Sequence, residues 1–291
     1  MPPFVRADYD LLDAIDAPYT GLRDLPGLLF SIIRADTSFS WFAGGHAALA
    51  VVFSRLFGKR SIVVLGGYEV AKLPEIGYGA CLNRKSAFMA KFSIQNADEV
   101  LAVDESLKQE AIRNYGLSGD NISIVPTGYD ANHFRPDGPK ENLVLTVSPQ
   151  VSYERKGIPL FIEAARCLPD IRFIVVGKGS IDAPPNVEFP GHITDEELLH
   201  YYQRAKVYCQ LSLHEGLPNA LCEAMLCECV PIGSRANGIP KAIGNTGYYA
   251  DDVASLVKAI QQALDFSGKP ARARIRKLFP MTLRRAAFES L

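Results

Sequence analysis

A chain of 291 residues is long enough for about two domains, each with its own core. A hydrophobic content of 48 % and a charged content of 22 % are those of an ordinary globular protein, and a formal net charge of −1 argues against nucleic acid as the main partner. There is no run of about 18 apolar residues to span a bilayer, and MPPFVRADYD lacks the basic-then-apolar order of a secretory leader, so a soluble cytoplasmic protein is expected.

The first elements read as helices over residues 2–15 and 25–34. Asp8-x-Asp10 falls in the first of them; a D-x-D can hold a metal–nucleotide, but at helical spacing two solvated carboxylates are the expected reading. A strand over 38–43 follows. Gly44-Gly45-His46 then opens an apolar helix to about Phe57, and Arg60–Leu65 is a buried strand ending in Gly66-Gly67-Tyr68-Glu69. In a parallel sheet, glycines at such strand ends deliver the chain to a ligand crevice. His46, Gly66, Gly67 and Glu69 are therefore candidates to face a ligand; for a lone histidine at a helix start, a cap or a core group is the competing reading. Residues 70–81 form a long irregular stretch of the kind that shapes binding sites. Helix 82–96, strand 99–103, a helix from Asp104 to Tyr115 and strand 121–125 complete the first half. The Pro-, Gly- and charge-rich segment 131–141 marks a composition shift, which gives an amino-terminal domain of 1–135 and a carboxy-terminal domain of 136–291.

The second half restarts with a strand over 143–147. Arg155 and Lys156 come after it and just before a helix over 159–167, where two adjacent cations can hold phosphate. Strand 171–176 runs into Gly177-Lys178-Gly179, a glycine pair without the full dinucleotide fingerprint. Val187–Phe189 leads to Pro190-Gly191-His192. Thr194 with Glu197 three residues on is a capping box for the next helix. Strands at 229–232 and 247–250 and a helix over 252–266 follow. The tail, 271–291, reads as helical with six cations (Arg272, Arg274, Arg276, Lys277, Arg284, Arg285), a solvated face with contact to anionic lipid as the alternative. The six cysteines (81, 167, 209, 222, 227 and 229) contain no C-x-x-C pair and read as packed thiols.

The chain is organised around residues 207–226, VYCQLSLHEGLPNALCEAML. An apolar strand runs into His214-Glu215-Gly216-Leu217-Pro218-Asn219, and an apolar helix carries Glu223. Pro218 suits a first helical turn and Gly216 allows close backbone approach. Free amides of Gly216, Leu217, Asn219 and Ala220 at the helix start make an anion cradle. A carboxylate beside such a cradle makes sense if Glu215 meets sugar hydroxyls while the amides meet a diphosphate. The competing reading is a buried strand–turn–helix with two surface glutamates. Strand and helix alternate throughout, so both halves read as parallel α/β sheets, Rossmann-like and facing across a cleft.

Glu215-(seven residues)-Glu223 within EGLPNALCEAM resembles the E-x7-E motif of the GT4 family of glycosyltransferases, retaining enzymes of the GT-B fold. The likeness extends in order through SPQVSYERKGIPLFIEAA, FIVVGKGS and VEFPGHITDEELLHYYQRAKVYCQLSLHEG, and past the motif through VPIGSRANGIPKAIGNTGYYADD. It covers residues 95–291 well and the earlier part loosely. The resemblance implies that Arg155 and Lys156 grip the donor diphosphate and stabilise its departure, so that no metal or cofactor is needed. It implies that Glu215 meets the donor sugar, Gly216–Ala220 amides meet the phosphates, Glu223 holds the ribose, and the Gly191 loop lines the base, with Gly177 among the donor-side residues. The donor is then a nucleotide-diphosphate sugar and the acceptor a glycan, a lipid-linked sugar or a small hydroxylated molecule, with peripheral membrane contact as an alternative. Many members have a first strand before the first helix, and many carry a histidine after the strand at 60–65; here the chain begins near a helix and has Gly66-Gly67-Tyr68-Glu69. A nucleotide-sugar-binding protein without transfer and a nucleotide-sugar epimerase of the same fold are the competing functions.

Overall fold

The computed structural model describes residues 8, 9, 11, 12, 25–150 and 154–290. Asp10 and most of the helix expected over 2–15 lie outside the described residues, as do 151–153 of the loop that carries Arg155. The chain divides into two compact units, residues 1–127 with 284–291, and residues 128–283. The division falls earlier than the composition shift at 131–141, and the last residues return to the first unit.

The first unit is a parallel sheet of four described strands in chain order: β1 (Thr37–Trp41), β2 (Arg60–Leu65), β3 (Glu99–Ala102) and β4 (Ile122–Ile124). α1 (Leu25–Arg34) precedes β1; α2 (Gly45–Leu56), α3 (Arg84–Asn96) and α4 (Glu105–Tyr115) are the crossovers. Sequential strand order with right-handed crossovers puts successive connecting helices on one face, and α1 packs on α2 and α2 on α3. β2 is apolar and β-branched, and its residues from Ile62 to Leu65 are buried, as expected for a strand covered on both faces. Asn83 caps α3 by accepting from the amides of Lys85 and Ser86, and Asp104 caps α4 by accepting from Ser106.

In the second unit the order is β10-β9-β8-β5-β6-β7, with every pairing parallel. The strands are β5 (Glu141–Gln150), β6 (Arg172–Lys178), β7 (Val187–Gly191), β8 (Ala205–Gln210), β9 (Val230–Gly233) and β10 (Tyr248–Tyr249). The chain moves outward from β5 through β6 to β7, then returns to β5's other side at β8. The switch point of the sheet is therefore the β5/β8 pair, and in open parallel sheets ligands bind beyond the carboxyl ends of strands at that point. α5 (Ile158–Cys167), α6 (Asp195–Arg204), α7 (Asn219–Leu226), α8 (Ile239–Ile243), α9 (Val253–Asp265) and α10 (Lys269–Leu278) surround the sheet. The core between sheet and helices holds Val144, Phe161, Phe173, Val207, Val230 and Ile260, all buried. The capping box at Thr194 and Glu197 forms at the start of α6.

The tail is helical as expected but departs from a solvated basic face. It is two helices, α10 and α11 (Met281–Glu289), and half of its six cations are consumed internally. Arg272 donates to the carbonyls of Ala131 and Phe134 at 2.8 Å and to that of Leu226, and Arg274 donates to Lys241 and Ala242 at 2.8 Å. Arg284 is 2 % exposed. It forms a two-pronged pair with Asp8 at 2.8 and 2.6 Å and donates to Val125 and Pro126. Its guanidinium stacks over Phe288 (4.8 Å) and Trp41 (5.6 Å). Asp8, expected as a solvated carboxylate, is thus 2 % exposed: a charge that cannot stay solvated needs a buried partner, and Arg284 is 276 residues away in sequence.

A cation-clasped glutamate at the switch point

The loops that leave β5 and β8 carry the candidate residues. Gly157, the residue before α5, has φ +69°, and a Cβ there would lie 2.3 Å from the Leu211 carbonyl oxygen. Only glycine lets the two loops close to this distance. The Leu213 amide donates to the Arg155 carbonyl at 2.8 Å, which fixes the register of one loop against the other. Gly177, at the end of β6, has a Cβ position 1.9 Å from the Ser148 carbonyl oxygen, so it seals the neighbouring strand end of β5. Gly191 closes β7 at φ +81° with open space around it.

Glu215 sits where these loops meet, its side chain 14 % exposed. Lys156 Nζ pairs with its Oε1, Arg155 Nη1 donates to the same oxygen at 3.2 Å, and Gln210 Nε2 approaches it at 3.3 Å. Arg155 also donates to the His214 carbonyl at 2.8 Å. The Glu215 amide reaches Asn237 Oδ1 at 3.4 Å. Burial pushes the Glu215 carboxyl up, but the charges of Lys156 and Arg155 outweigh it, and the group is held below its ordinary value. It is an ionised carboxylate with two cations within reach, both largely buried.

Four residues beyond Glu215 the helix α7 begins. Pro218 is its N-cap, one position earlier than the first-turn position expected, and Asn219 is the first helical residue. Gly216, Leu217 and Pro218 are buried. The first-turn amides of an α-helix have no intrahelical acceptor, so Asn219 and Ala220 direct N–H groups out of the helix start, toward which anions are drawn. Asn219 is oriented by Tyr129, whose hydroxyl pairs with Asn219 Oδ1 at 2.7 Å. Glu223, further along the same helix, accepts from the Tyr202 hydroxyl at 3.2 Å. Burial pushes its carboxyl up to about 7, with the Tyr202 hydrogen bond opposing and Asp195 assisting. The two glutamates of the E-x7-E spacing are thus electrostatic opposites, one ionised by cations and one poised near neutrality. Gln210, Asn237, Tyr129 and Tyr202 were not among the sequence candidates; Gln210, Tyr202 and Asn237 lie in segments that carry the family resemblance, but nothing in those segments marks them as partners of the two glutamates.

The first-unit candidates form a separate structure. Glu69 is 3 % exposed. Its two carboxylate oxygens accept from the amides of Gly66 and Gly67, each at 2.9 Å, and its carbonyl accepts from the Tyr115 hydroxyl at 2.5 Å. The group is a latch across the loop after β2. His46 Nε2 pairs with the Trp41 carbonyl at 2.6 Å, tying the start of α2 to the end of β1. Among the described residues no group of three or more His, Cys, Asp or Glu is arranged to hold a metal ion, and no helix is long and apolar enough to cross a membrane.

Comparison with known proteins follows the same line. The family model of "Glycosyl transferases group 1" matches residues 141–265, which contain β5 to α9 and the whole cation-clasped site. The chain is 25% identical over 173 residues to the phosphatidylinositol N-acetylglucosaminyltransferase gpi3 subunit of Schizosaccharomyces pombe, covering 53% of this chain but 38% of that protein. It is 25% identical over 281 residues to the alpha-maltose-1-phosphate synthase of Mycolicibacterium smegmatis, covering 81% of this chain and 70% of that one. The chain matches 38% to 44% of the length of the phosphatidylinositol N-acetylglucosaminyltransferase relatives. Among solved structures, Anabaena HepE (Alr3699) in complex with UDP and glucose superposes with a TM-score of 0.76 at 16% identity, over 94% of this chain and 83% of that one. Sucrose-phosphate synthase from Thermosynechococcus elongatus superposes at 0.72 and 18% identity, over 94% and 79%. At such identity the likeness speaks for the fold, two parallel α/β sheets of the GT-B kind.

Proposed function

We propose that this chain, a glycosyltransferase of the GT-B fold with its group 1 domain at residues 141–265, moves a sugar from a nucleoside-diphosphate sugar to a hydroxyl acceptor with retention of anomeric configuration and without a metal. The observation that carries the reading is Glu215 clasped by Lys156 and Arg155 beside the start of α7, at the switch point of the second sheet. Fixed cations stabilise a leaving diphosphate as its charge develops, and in a largely buried site they do so without reorganising solvent.

In this reading the diphosphate draws Lys156 and Arg155 from Glu215, whose carboxylate then accepts hydrogen bonds from the sugar hydroxyls. Amides at Gly216, Leu217, Asn219 and Ala220 receive phosphate oxygens, and Glu223 accepts from the ribose hydroxyls, since one carboxylate has lone pairs for both. Gly191 lines the base and Gly177 holds the strand end beneath the site. The bond from the anomeric carbon to the phosphate oxygen breaks and a bond to the acceptor oxygen forms on the same face. The acceptor's proton passes to the departing phosphate, so no side chain is required as a base. The donor base is read as uracil, because HepE, the neighbour above, is described with UDP; the acceptor is a glycan, a lipid-linked sugar or a small hydroxylated molecule. His46 and the Gly66-Gly67-Glu69 loop are proposed on the acceptor side.

Thermal stability against UDP, GDP, ADP and TDP, each also with common sugars attached, tests the reading. A ligand that binds only the folded state stabilises it by about 2.7 kcal/mol at a hundredfold excess over its Kd. UDP and one UDP-sugar are expected to stand out, with slow donor hydrolysis over hours. A single nucleotide that binds while its sugar is neither released nor transferred would give the site to a binding protein. An altered sugar on an intact donor would give it to an epimerase.

A further inference from the structure

We propose that Gln210 is a positioning residue for sugar transfer: its amide fixes the Glu215 carboxylate, and the Tyr208 hydroxyl fixes the amide. The inference rests on the transfer reading above. It begins with the alternation along β8. Val207, Cys209 and Leu211 enter the apolar core, so Tyr208, Gln210 and Ser212 turn to the opposite face of the strand. That face is buried as well, the three residues being 0 %, 3 % and 0 % exposed. Buried polar groups cost free energy unless they are hydrogen-bonded. The residues paired with Tyr208 and Gln210 on the flanking strands, Leu145, Pro231 and Gly233, have no side chain that can do this. The polar row has to find its partners along itself and in the loop that follows.

It finds them in one direction. The Tyr208 hydroxyl donates to Gln210 Oε1 at 3.1 Å, and Gln210 Nε2 donates to Ser212 Oγ at 2.8 Å and to Glu215 Oε1 at 3.3 Å. An ionised carboxylate only accepts, so the NH2 end of the amide faces Glu215 and its oxygen is left to Tyr208. Burial, with the charges of Glu223 and Glu215, holds the Tyr208 hydroxyl well above its ordinary value, so it stays protonated and remains a donor. The Tyr208 ring in turn packs edge to face on Tyr202, centroids 6.0 Å apart, and Tyr202 donates to Glu223. One buried row thus runs from the carboxylate proposed for the sugar to the carboxylate proposed for the ribose. Its use comes when the donor binds. Lys156, Arg155 and Gln210 all meet the same oxygen of Glu215. Once the two cations turn to the diphosphate, the neutral donors keep the carboxylate in place, Gln210 through its amide and Ser212 through a hydroxyl that also favours the charged form. A group fixed before the reaction does not reorganise during it.

Single-turnover release of sugar from the UDP-sugar that stands out in the thermal panel decides it, with no acceptor required. Gln210→Met keeps the volume and removes the amide. Its maximal rate is expected to fall about tenfold to a hundredfold, the range for a misplaced contact group. The donor concentration giving half that rate stays nearly unchanged, and so does the thermal shift given by UDP, which has no sugar to meet Glu215. Tyr208→Phe keeps the ring and is expected to slow release roughly two- to tenfold, as for one lost hydrogen bond. In a Glu215→Ala background neither change should slow release further, because both act through that carboxylate. An undiminished rate in Gln210→Met, or an equal further fall in the Glu215→Ala background, overturns the proposal. Loss of the UDP shift together with the rate gives Gln210 a purely structural role and overturns it too. If Gln210→Met does not fold, Tyr208→Phe and its combination with Glu215→Ala carry the same test. A native chain that releases no sugar from any donor fails the transfer reading and the positioning with it. A native chain that Gln210→Met matches in rate fails the positioning alone.

Discussion

Two loops of the molecule carry a buried glutamate just past the end of a parallel strand, and the two glutamates are opposites. Glu69, after β2, has neutral donors: two glycine amides hold its carboxylate, and burial raises its pKa above the ordinary value despite them. Glu215, after β8, has charged donors; Lys156 and Arg155 carry it below the ordinary value although it too is buried. Amides fixed in the backbone cannot leave, so the Glu69 loop is a closed latch. Cations on long side chains can exchange a carboxylate for a phosphate, so in the proposed reading Glu215 stands in for the anion that its loop would take. The difference between latch and site lies in the partners; residue type, burial and place in the fold are alike.

Removing a cation breaks the comparison most severely. In Lys156→Ala, the transition state is expected to lose about 2–4 kcal/mol, in the range for one strong electrostatic contact to developing charge. Single-turnover consumption of the donor would read this as a rate fall of roughly thirtyfold to a thousandfold. Turnover at the native rate would remove Lys156 from the mechanism and make its pair with Glu215 a matter of loop structure alone.

The latch is broken by changing one oxygen to an amide. In Glu69→Gln, the side-chain NH2 must face the Gly66 or Gly67 amide, donor against donor, and a buried donor is left without a partner. The expected loss of stability is about 1–3 kcal/mol, measured as a lowered urea midpoint at unchanged slope. Because the latch belongs to the first unit, the thermal shift given by nucleoside diphosphate should persist. If transfer to acceptor fell while the urea midpoint and the nucleotide shift held, Glu69 would meet the acceptor itself and not only latch the loop.

The glutamate spacing, the two cations after a strand and the helix start were all legible in the sequence because each is local: a chemistry-bearing residue lies within a turn or a loop of the strand that delivers it. What could not be read is what depends on distance along the chain. Asn237 meets the Glu215 amide from 22 residues away, Tyr202 meets Glu223 from 21, and Asp8 meets Arg284 from 276. No periodicity records such pairs. Burial of Arg284 and Asp8 also defeats the general expectation that charges at helical spacing are solvated, since each charge is neutralised by the other. In α2 (GHAALAVVFSRL) the apolar pattern gives the helix, but Leu49, Val52 and Leu56 are exposed, so the pattern reports hydrophobicity and not what covers it.

Glu223 sharpens the comparison by a third arrangement, a buried carboxylate that accepts from the neutral Tyr202 hydroxyl and that burial pushes up to about 7. Its folded-state pKa lies above the ordinary 4.5. The native state therefore holds this proton over a range where the unfolded chain has lost it. The stability it contributes is fully present below about pH 4.5 and is lost as the pH rises through about 7. A ribose that donates hydroxyls to the charged form reverses this preference, so nucleotide binding should release a proton below about pH 7. Affinity for nucleoside diphosphate is then expected to fall about tenfold between pH 8 and pH 6, beyond the fall set by the ligand's own phosphate titration. Glu223→Gln carries no titrating group and should retain only the ligand's part of that slope. Calorimetry in two buffers of different ionisation enthalpy measures the released proton directly. If the native protein and Glu223→Gln share one pH slope and one proton count, Glu223 does not meet the nucleotide, and its pairing with Tyr202 only fastens α7 to α6.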